Sequence, residues 1–108
     1  MFDFMDMIGT YDLRKVDHFK ADRFMVDTCA VTDGSQPFET AVSHPEYGYG
    51  TWVIVEAYDT KEEAQAGHDK WVGLMTNEPL PEVLQHCRNS TFAALIFTAE
   101  ELAFPRVR

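Results

Sequence analysis

The sequence has 108 residues, of which 45% are hydrophobic and 25% charged, a balance typical of one globular domain spanning residues 1–108. Its formal net charge is −9, and the acidic residues divide evenly between the two halves of the chain. Such a surface repels phosphate backbones, so nucleic acid is excluded as an expected partner. No apolar run approaches the ~20 residues of a membrane span. The acidic start MFDFMDMIG lacks the basic residues of a signal peptide, so we expect neither membrane insertion nor secretion.

The first half of the chain predicts a docking arm followed by three strands. Residues 1–12 include bulky apolar side chains between acidic ones, and Phe2 and Phe4 favour an arm that packs on this domain or on a neighbouring subunit. Alternating apolar and polar side chains predict strands over residues 13–19, 23–32 and 38–44. Short connections between successive strands favour an antiparallel meander.

A strand followed by a helix is the strongest pattern in the sequence. Residues 52–58 are β-branched and aromatic, which predicts a fourth strand. Thr60 stands three residues before Glu63, the spacing of a capping box, so a helix is predicted over residues 61–75. Its apolar stripe, which should pack on the sheet, contains Ala64, Gly67, His68, Trp71, Val72 and Met75. Gly67 is predicted to allow a close approach between helix and sheet.

The last third of the chain predicts a second short helix and a further strand. Pro81 suits the first position of a helix. That helix would have an apolar stripe of Leu80, Val83, Leu84 and Cys87. Residues 91–98, with Phe92 and Phe97 in an apolar run, are interpreted as a buried strand, and residues 98–101 as a capped helical turn. The predicted fold class is therefore α+β, an antiparallel β-meander of three to five strands with one main amphipathic helix packed on one face and a second short helix.

Three carboxylates are candidates for a metal or acid–base site. If Val26, Val42 and Val53 form the core side of the sheet, alternation places Asp27, Glu39 and Glu56 together on the other face, with His44 as a further candidate ligand. The alternative interpretation is an acidic, solvated sheet face, which would also carry Trp52, Ile54 and Tyr58.

His68 is the main candidate for catalysis because it is a titratable group on an otherwise apolar stripe. The alternative is a buried, neutral histidine with a structural hydrogen bond. Tyr47 and Tyr49, in a glycine-rich loop, are candidates for protein contacts or for stacking on a ligand. No nucleotide-binding, zinc-binding or hydrolase motif is present in the sequence, so no cofactor is expected.

Several segments resemble a group of small uncharacterised proteins encoded by tailed bacteriophages and prophages. The resemblance covers about residues 23–85 and rests on DTCAVTDG (27–34), FETAV (38–42), VIVEAY (53–58) and Gly67-His68, with Trp71 and Met75 following. Together with the N-terminal arm and the apolar run over residues 92–97, it favours a structural or assembly protein without catalytic activity. Such a protein would interact with itself or with other phage or virion proteins and would reside in the host cytoplasm or the virion. The exposed contacts expected of such a protein are Phe2, Phe4, Tyr47, Tyr49, Phe92 and Phe97.

A second resemblance implies a different function. The segment VEAYDTKEEAQAGH, residues 55–68, resembles the strand–helix step of dimeric α/β-barrel proteins such as antibiotic-biosynthesis-type monooxygenases. That resemblance implies a small enzyme or ligand-binding protein in which His68 acts on a substrate.

Overall fold

The computed structural model describes residues 13–90 and 96–107 and confirms the predicted α+β class. Four strands form an antiparallel sheet in the order of the chain. They are β1 (Lys15–Lys20), β2 (Met25–Ala30), β3 (Phe38–Ser43) and β4 (Trp52–Tyr58). The predicted docking arm, with Phe2 and Phe4, lies outside the described residues, as does most of the strand predicted over residues 91–98, including Phe92. The described part of that segment, residues 96–98, is not a strand, so the prediction was wrong there.

The sheet buries one face beneath a helix. Val26 pairs with Val42, which pairs with Val53, so three strands contribute one valine each to a single row of the core. All three are fully buried. Val55, Tyr47, Met75 and Leu84 complete this cluster. The predicted core side of the sheet is confirmed at these valines, because alternate side chains of neighbouring strands share one face.

The pairing of β3 with β4 contains a register shift. Thr40 pairs with Glu56, whereas Ala41 pairs with Ile54, so Val55 is an extra residue in β4. Such a bulge reverses the alternation of the side chains that follow it. Glu56 and Tyr58 consequently lie on the helix side, where Glu56 contacts Lys70. The prediction that these two residues share the outer face with Trp52 and Ile54 was wrong for this reason.

Helix α1 (Lys61–Thr76) begins where the sequence predicted. Thr60 Oγ1 accepts the Glu63 N–H at 3.1 Å, and the Thr60 hydroxyl donates to the Glu63 carboxylate at 2.9 Å. In a capping box the Glu63 carboxylate would accept from the Thr60 amide, whereas here it accepts from the Thr60 hydroxyl. Among residues 13–90 and 96–107, no helix is long and apolar enough to cross a membrane.

Gly67 brings α1 close to the sheet, as predicted. A Cβ atom at this position would lie only 2.1 Å from the Tyr58 hydroxyl oxygen. Because no side chain fits into that space, glycine permits the Tyr58 ring to reach the helix backbone. Ala64, Gly67, His68 and Met75 are the buried residues of the helix, which confirms these positions of the apolar stripe.

The second short helix predicted from Pro81 was wrong, because this segment forms a strand. Strand β5 (Val83–Gln85) pairs antiparallel with β6 (Ala103–Pro105), a partner that is distant in sequence. Leu84 is buried between the exposed residues Val83 and Gln85, which is the alternation of a strand. Four apolar residues within eight positions fit either a helix or a strand, and the remote partner decides between them. A 3-10 helix, Glu100–Leu102, follows Thr98, whose hydroxyl accepts the Glu101 N–H, as predicted for the capped turn.

Candidate functional site

His68 belongs to a buried polar network between helix α1 and the sheet. The network comprises Asp17, His68, Thr28, Thr40, Tyr58 and Glu56, which come from all four strands and the helix. His68 Nδ1 lies 2.8 Å from Thr28 Oγ1, and Thr28 Oγ1 lies 2.6 Å from Thr40 Oγ1. His68 Nε2 lies 3.7 Å from Asp17 Oδ2. Each polar group that the helix buries on this side therefore faces another polar group.

Tyr58 and Glu56 form the other end of the network. The Tyr58 hydroxyl lies 3.0 Å from both Thr40 Oγ1 and Glu56 Oε1. The same carboxylate oxygen accepts from Trp71 Nε1 at 3.0 Å and pairs with Lys70 Nζ at 2.6 Å. Burial alone raises the pKa of Glu56, but the hydrogen bonds from Lys70, Trp71 and Tyr58 outweigh it and hold this pKa below the usual value. Glu56 is therefore ionised near neutral pH and acts only as an acceptor.

The direction of the hydrogen bonds follows from this acceptor. The single hydrogen of the Tyr58 hydroxyl donates to Glu56, so the Tyr58 oxygen accepts from Thr40. Thr40 in turn accepts from Thr28. The Thr28 oxygen then accepts from His68, which assigns a hydrogen to His68 Nδ1. Four consecutive hydrogen bonds thus run from the histidine to the glutamate in one direction, an arrangement in which each bond polarises the next.

The burial of the network indicates what it can do chemically. His68 is 2% exposed, and Thr28 and Thr40 are fully buried. A substrate reaches none of these three side chains while the helix lies on the sheet. Asp17 is half-exposed, and its pKa is lowered chiefly by the hydrogen bond from Gln65. The buried hydrogen bond between His68 Nδ1 and Thr28 supports the structural interpretation of His68, because hydrogen-bonded buried polar groups stabilise a unique packing of helix on sheet.

The three carboxylates of the predicted metal site are not brought together. Glu56 lies in the buried polar network, Asp27 contacts His18 Nδ1 at 3.0 Å, and Glu39 accepts from Asn89 Nδ2 at 3.0 Å. Burial raises the pKa of Glu39 despite that bond. Within residues 13–90 and 96–107, no group of three or more His, Cys, Asp or Glu side chains is arranged to hold a metal ion.

The residues predicted to make protein contacts differ in exposure. Tyr47 is fully buried, and its hydroxyl donates to the Pro81 carbonyl, so the prediction of an exposed contact was wrong for Tyr47. Tyr49 is 96% exposed and Phe97 is 40% exposed. Trp52, which was not predicted as a contact, is 47% exposed. The tyrosines of the Gly48–Gly50 region thus separate into one core residue and one surface residue.

A pocket of about 320 Å³ lies at the end of the helix–sheet interface remote from the buried polar network. Arg23, Phe24, His44, Met75 and Leu80 are among its lining residues. His44 is 3% exposed and stacks on Phe24, with 5.9 Å between ring centroids. The volume of the pocket falls within the range of small-molecule sites.

The sequence carried no local signal for this pocket. Its walls come from the β1–β2 turn, the end of β3, the last turn of α1 and the segment after the helix. The sequence indicated His44 only as a further candidate metal ligand. Residues 22–24 and 75–80 are separated by about 50 positions, so only the folded chain places them together.

The comparisons with known proteins leave the family open. The sequence matches no protein-family model, and neither the curated proteins nor the solved structures contain a significant match. In topology, the four-stranded meander has no α-helix between its strands. The dimeric α/β-barrel requires a helix after its first strand, so the topology differs from the fold that the second resemblance implied.

Proposed function

We propose that this chain is an interaction protein without catalytic activity that associates with itself, as an assembly component of the phage type. The observation that carries the proposal is the exposure of Tyr49, which is 96% accessible on a surface turn. The sequence resemblance to phage-encoded proteins supports the same class. In this role the protein acts in the host cytoplasm or in the virion, with a second copy or other virion proteins as partners.

Tyr49 occupies a backbone conformation that side chains rarely adopt. Its φ is 57°, between Gly48 at 56° and Gly50 at 87°, so three consecutive residues are left-handed. A residue with a side chain costs about 1 kcal/mol or more in this region. Because the ring is 96% exposed, packing within the described part of the chain does not offset this cost, and folding does not account for a tyrosine here. Binding does, since tyrosine is enriched in protein interfaces.

A second large aromatic side chain lies close to this turn. The Ser43 hydroxyl donates to the Gly50 carbonyl at 2.6 Å, and Ser43 pairs with Trp52. This contact fixes the turn against the start of β4, where Trp52 is 47% exposed. We define Tyr49 and Trp52 as the aromatic surface of the protein. Two exposed aromatic side chains three positions apart in the sequence are of the residue types that dominate interface energies.

The test compares Tyr49→Asn with the wild-type protein. Asparagine tolerates the left-handed region, so the turn should keep its conformation and the melting temperature should stay within about 2 °C. The dissociation constant of self-association, measured by sedimentation equilibrium, should rise about tenfold or more. Trp52→Thr should have the same direction of effect, because threonine suits an exposed strand position.

Val83→Thr is the matched control, since Val83 is 45% exposed on β5. This substitution removes a comparable exposed apolar group elsewhere and should leave the dissociation constant unchanged. A wild-type protein that remains monomeric at millimolar concentration contradicts the proposal. Equal weakening by Val83→Thr and Tyr49→Asn contradicts the assignment of the aromatic surface.

A further inference from the structure

The pocket beside His44 has an apolar wall with a fixed shape. Phe24 stacks on His44 at a centroid distance of 5.9 Å and forms a tilted pair with Phe19 at 5.7 Å, and His44 meets Tyr47 edge-on at 5.3 Å. Met75, 3% exposed, lines the pocket at the end of helix α1. An aromatic ring fits between a rigid aromatic face and an adaptable thioether.

Negative charge predominates around this pocket. The charged lining groups are Asp22, Arg23, Glu46 and Glu78. Arg23 pairs with Glu46 at 3.4 Å, and Arg106, from the segment after β6, pairs with Glu46 at 2.6 Å. Arg106 lies farther from Glu78, at 3.6 Å, and the Glu78 side chain is 71% exposed. The two arginines thus contact mainly Glu46, and the Glu78 carboxylate remains accessible to a cation.

The end of helix α1 adds to the negative potential. Met75 and Thr76, its last residues, line the pocket, and the last turn contains no basic residue. The carbonyl end of a helix carries about half a negative charge, which favours a nearby cation. The net charge of −9 acts in the same direction at longer range.

His44 adds one hydrogen-bond donor to the pocket. Its Nδ1 accepts the Glu46 N–H at 3.0 Å, so in the neutral ring the hydrogen lies on Nε2. Burial lowers the pKa of His44, which favours this neutral form. Among the described residues, no partner bonds Nε2. Because Nε2 does not belong to the buried unpaired atoms, it keeps contact with solvent and is free to donate to a ligand acceptor in the pocket that the ring lines.

We propose that this pocket binds a small aromatic amine that also carries an oxygen acceptor. The aromatic ring lies against Phe24 and Met75, the ammonium group lies near Glu78 and the helix end, and the oxygen accepts from His44 Nε2. This site is separate from the aromatic surface, so binding here does not depend on self-association.

Tyramine is the probe, and three relatives each change one of its features. Phenethylamine lacks the oxygen, 4-ethylphenol lacks the cation, and 3-(4-hydroxyphenyl)propionate replaces the cation by an anion. Titration of the 108-residue chain, followed by amide chemical shifts in NMR, should place tyramine at residues 21–24, 44–46 and 75–80. Tyramine should bind about threefold to tenfold more tightly than phenethylamine, the effect of one neutral hydrogen bond. The propionate should not bind.

Three variants separate the contributions. Glu78→Gln should weaken tyramine about twofold to fivefold, the effect of one partly screened charge. Glu62→Gln, the same change at the opposite end of helix α1, should have no effect. His44→Phe keeps the stacked ring but lacks the donor, so it should abolish the preference for tyramine over phenethylamine.

Two outcomes overturn the proposal. One is the absence of shifts at these residues with tyramine up to about 10 mM, a concentration at which even weak specific binding is measurable. The other is equal binding of tyramine and the propionate, since charge would then play no part in recognition. Unchanged discrimination in His44→Phe removes the role of the Nε2 donor.

Discussion

The two ends of the helix–sheet interface each bury one histidine, and the two histidines have different surroundings. His68 and His44 are 2% and 3% exposed, so burial does not distinguish them. Both ring nitrogens of His68 face polar groups of the buried network. His44 has a backbone partner at Nδ1 and lines a pocket. The two histidines therefore differ in the surroundings of Nε2 and not in burial. His68 Nε2 faces Asp17, which suits a structural role, whereas His44 lines a pocket and is available to a ligand.

Substitutions at two glycines of helix α1 should give the largest change in stability that tests this difference. Gly67→Ala places a methyl group 2.1 Å from the Tyr58 hydroxyl, so it should separate the helix from the sheet and break the buried polar network. We expect the free energy of unfolding, measured by urea denaturation, to fall by about 3 kcal/mol, despite the better helix propensity of alanine.

Gly73→Ala is the matched control for that substitution. A Cβ atom at Gly73 meets nothing within 4 Å. Alanine should therefore raise the free energy of unfolding by about 0.5–1 kcal/mol through helix propensity alone. Equal effects of the two substitutions would show that the Gly67 end is no more tightly packed than the end near the pocket.

The same substitution at the two histidines should have unequal effects. His68→Leu leaves the Thr28 hydroxyl without its partner in a fully buried site, so the free energy of unfolding should fall by about 2 kcal/mol. His44→Leu loses one bond from the Glu46 amide and one stacked ring contact, at a cost of about 1 kcal/mol. Denaturation of both variants in parallel checks the order, and a larger loss at His44 contradicts the comparison.

A double-mutant cycle tests whether the buried polar network acts as a unit. Thr28→Val and Tyr58→Phe each remove one hydroxyl, and Thr40 Oγ1 contacts both of these hydroxyls. The two losses of unfolding free energy should be less than additive by about 1 kcal/mol, because either substitution interrupts the same series of bonds. Additive losses would mean that the threonine pair and the tyrosine contribute independently.

The smallest expected effect is the pH dependence of folding stability. The contributions of Glu56 and Glu39 to it have opposite signs. The folded-state pKa of Glu56 is lowered, so its stabilisation is present above the unfolded pKa, near 4.5, and is lost as the pH falls. The folded-state pKa of Glu39 is raised, so protonation during acidification favours the folded state.

Melting temperatures measured from neutral pH down to about pH 3.5 test both signs, since this range covers the titration of carboxyl groups. Glu56→Gln should lose less stability on acidification than the wild type, and Glu39→Gln should lose more. Identical acid profiles for these two variants would contradict the opposite environments of the two carboxylates.

The strand–helix unit of residues 52–76 could be predicted from the sequence because the patterns that define it are local. The run of β-branched residues, the Thr60 cap and the stripe from Ala64 to Met75 each depend on neighbours within a few positions. The close approach at Gly67 was also predicted, since a glycine within an apolar stripe leaves room that only a packed partner can use.

Tertiary structure decided the register, the second sheet and the site. The bulge at Val55 turned Glu56 and Tyr58 inward, and one extra residue is enough to do so because strand side chains alternate with a period of two. Strand β5 depends on a partner about 20 residues later in the sequence. Tyr47 became a core residue and Tyr49 a surface residue, although both stand in one glycine-rich loop. The sequence by itself determined the α+β class and helix α1, whereas contacts between distant segments determined which polar side chains meet.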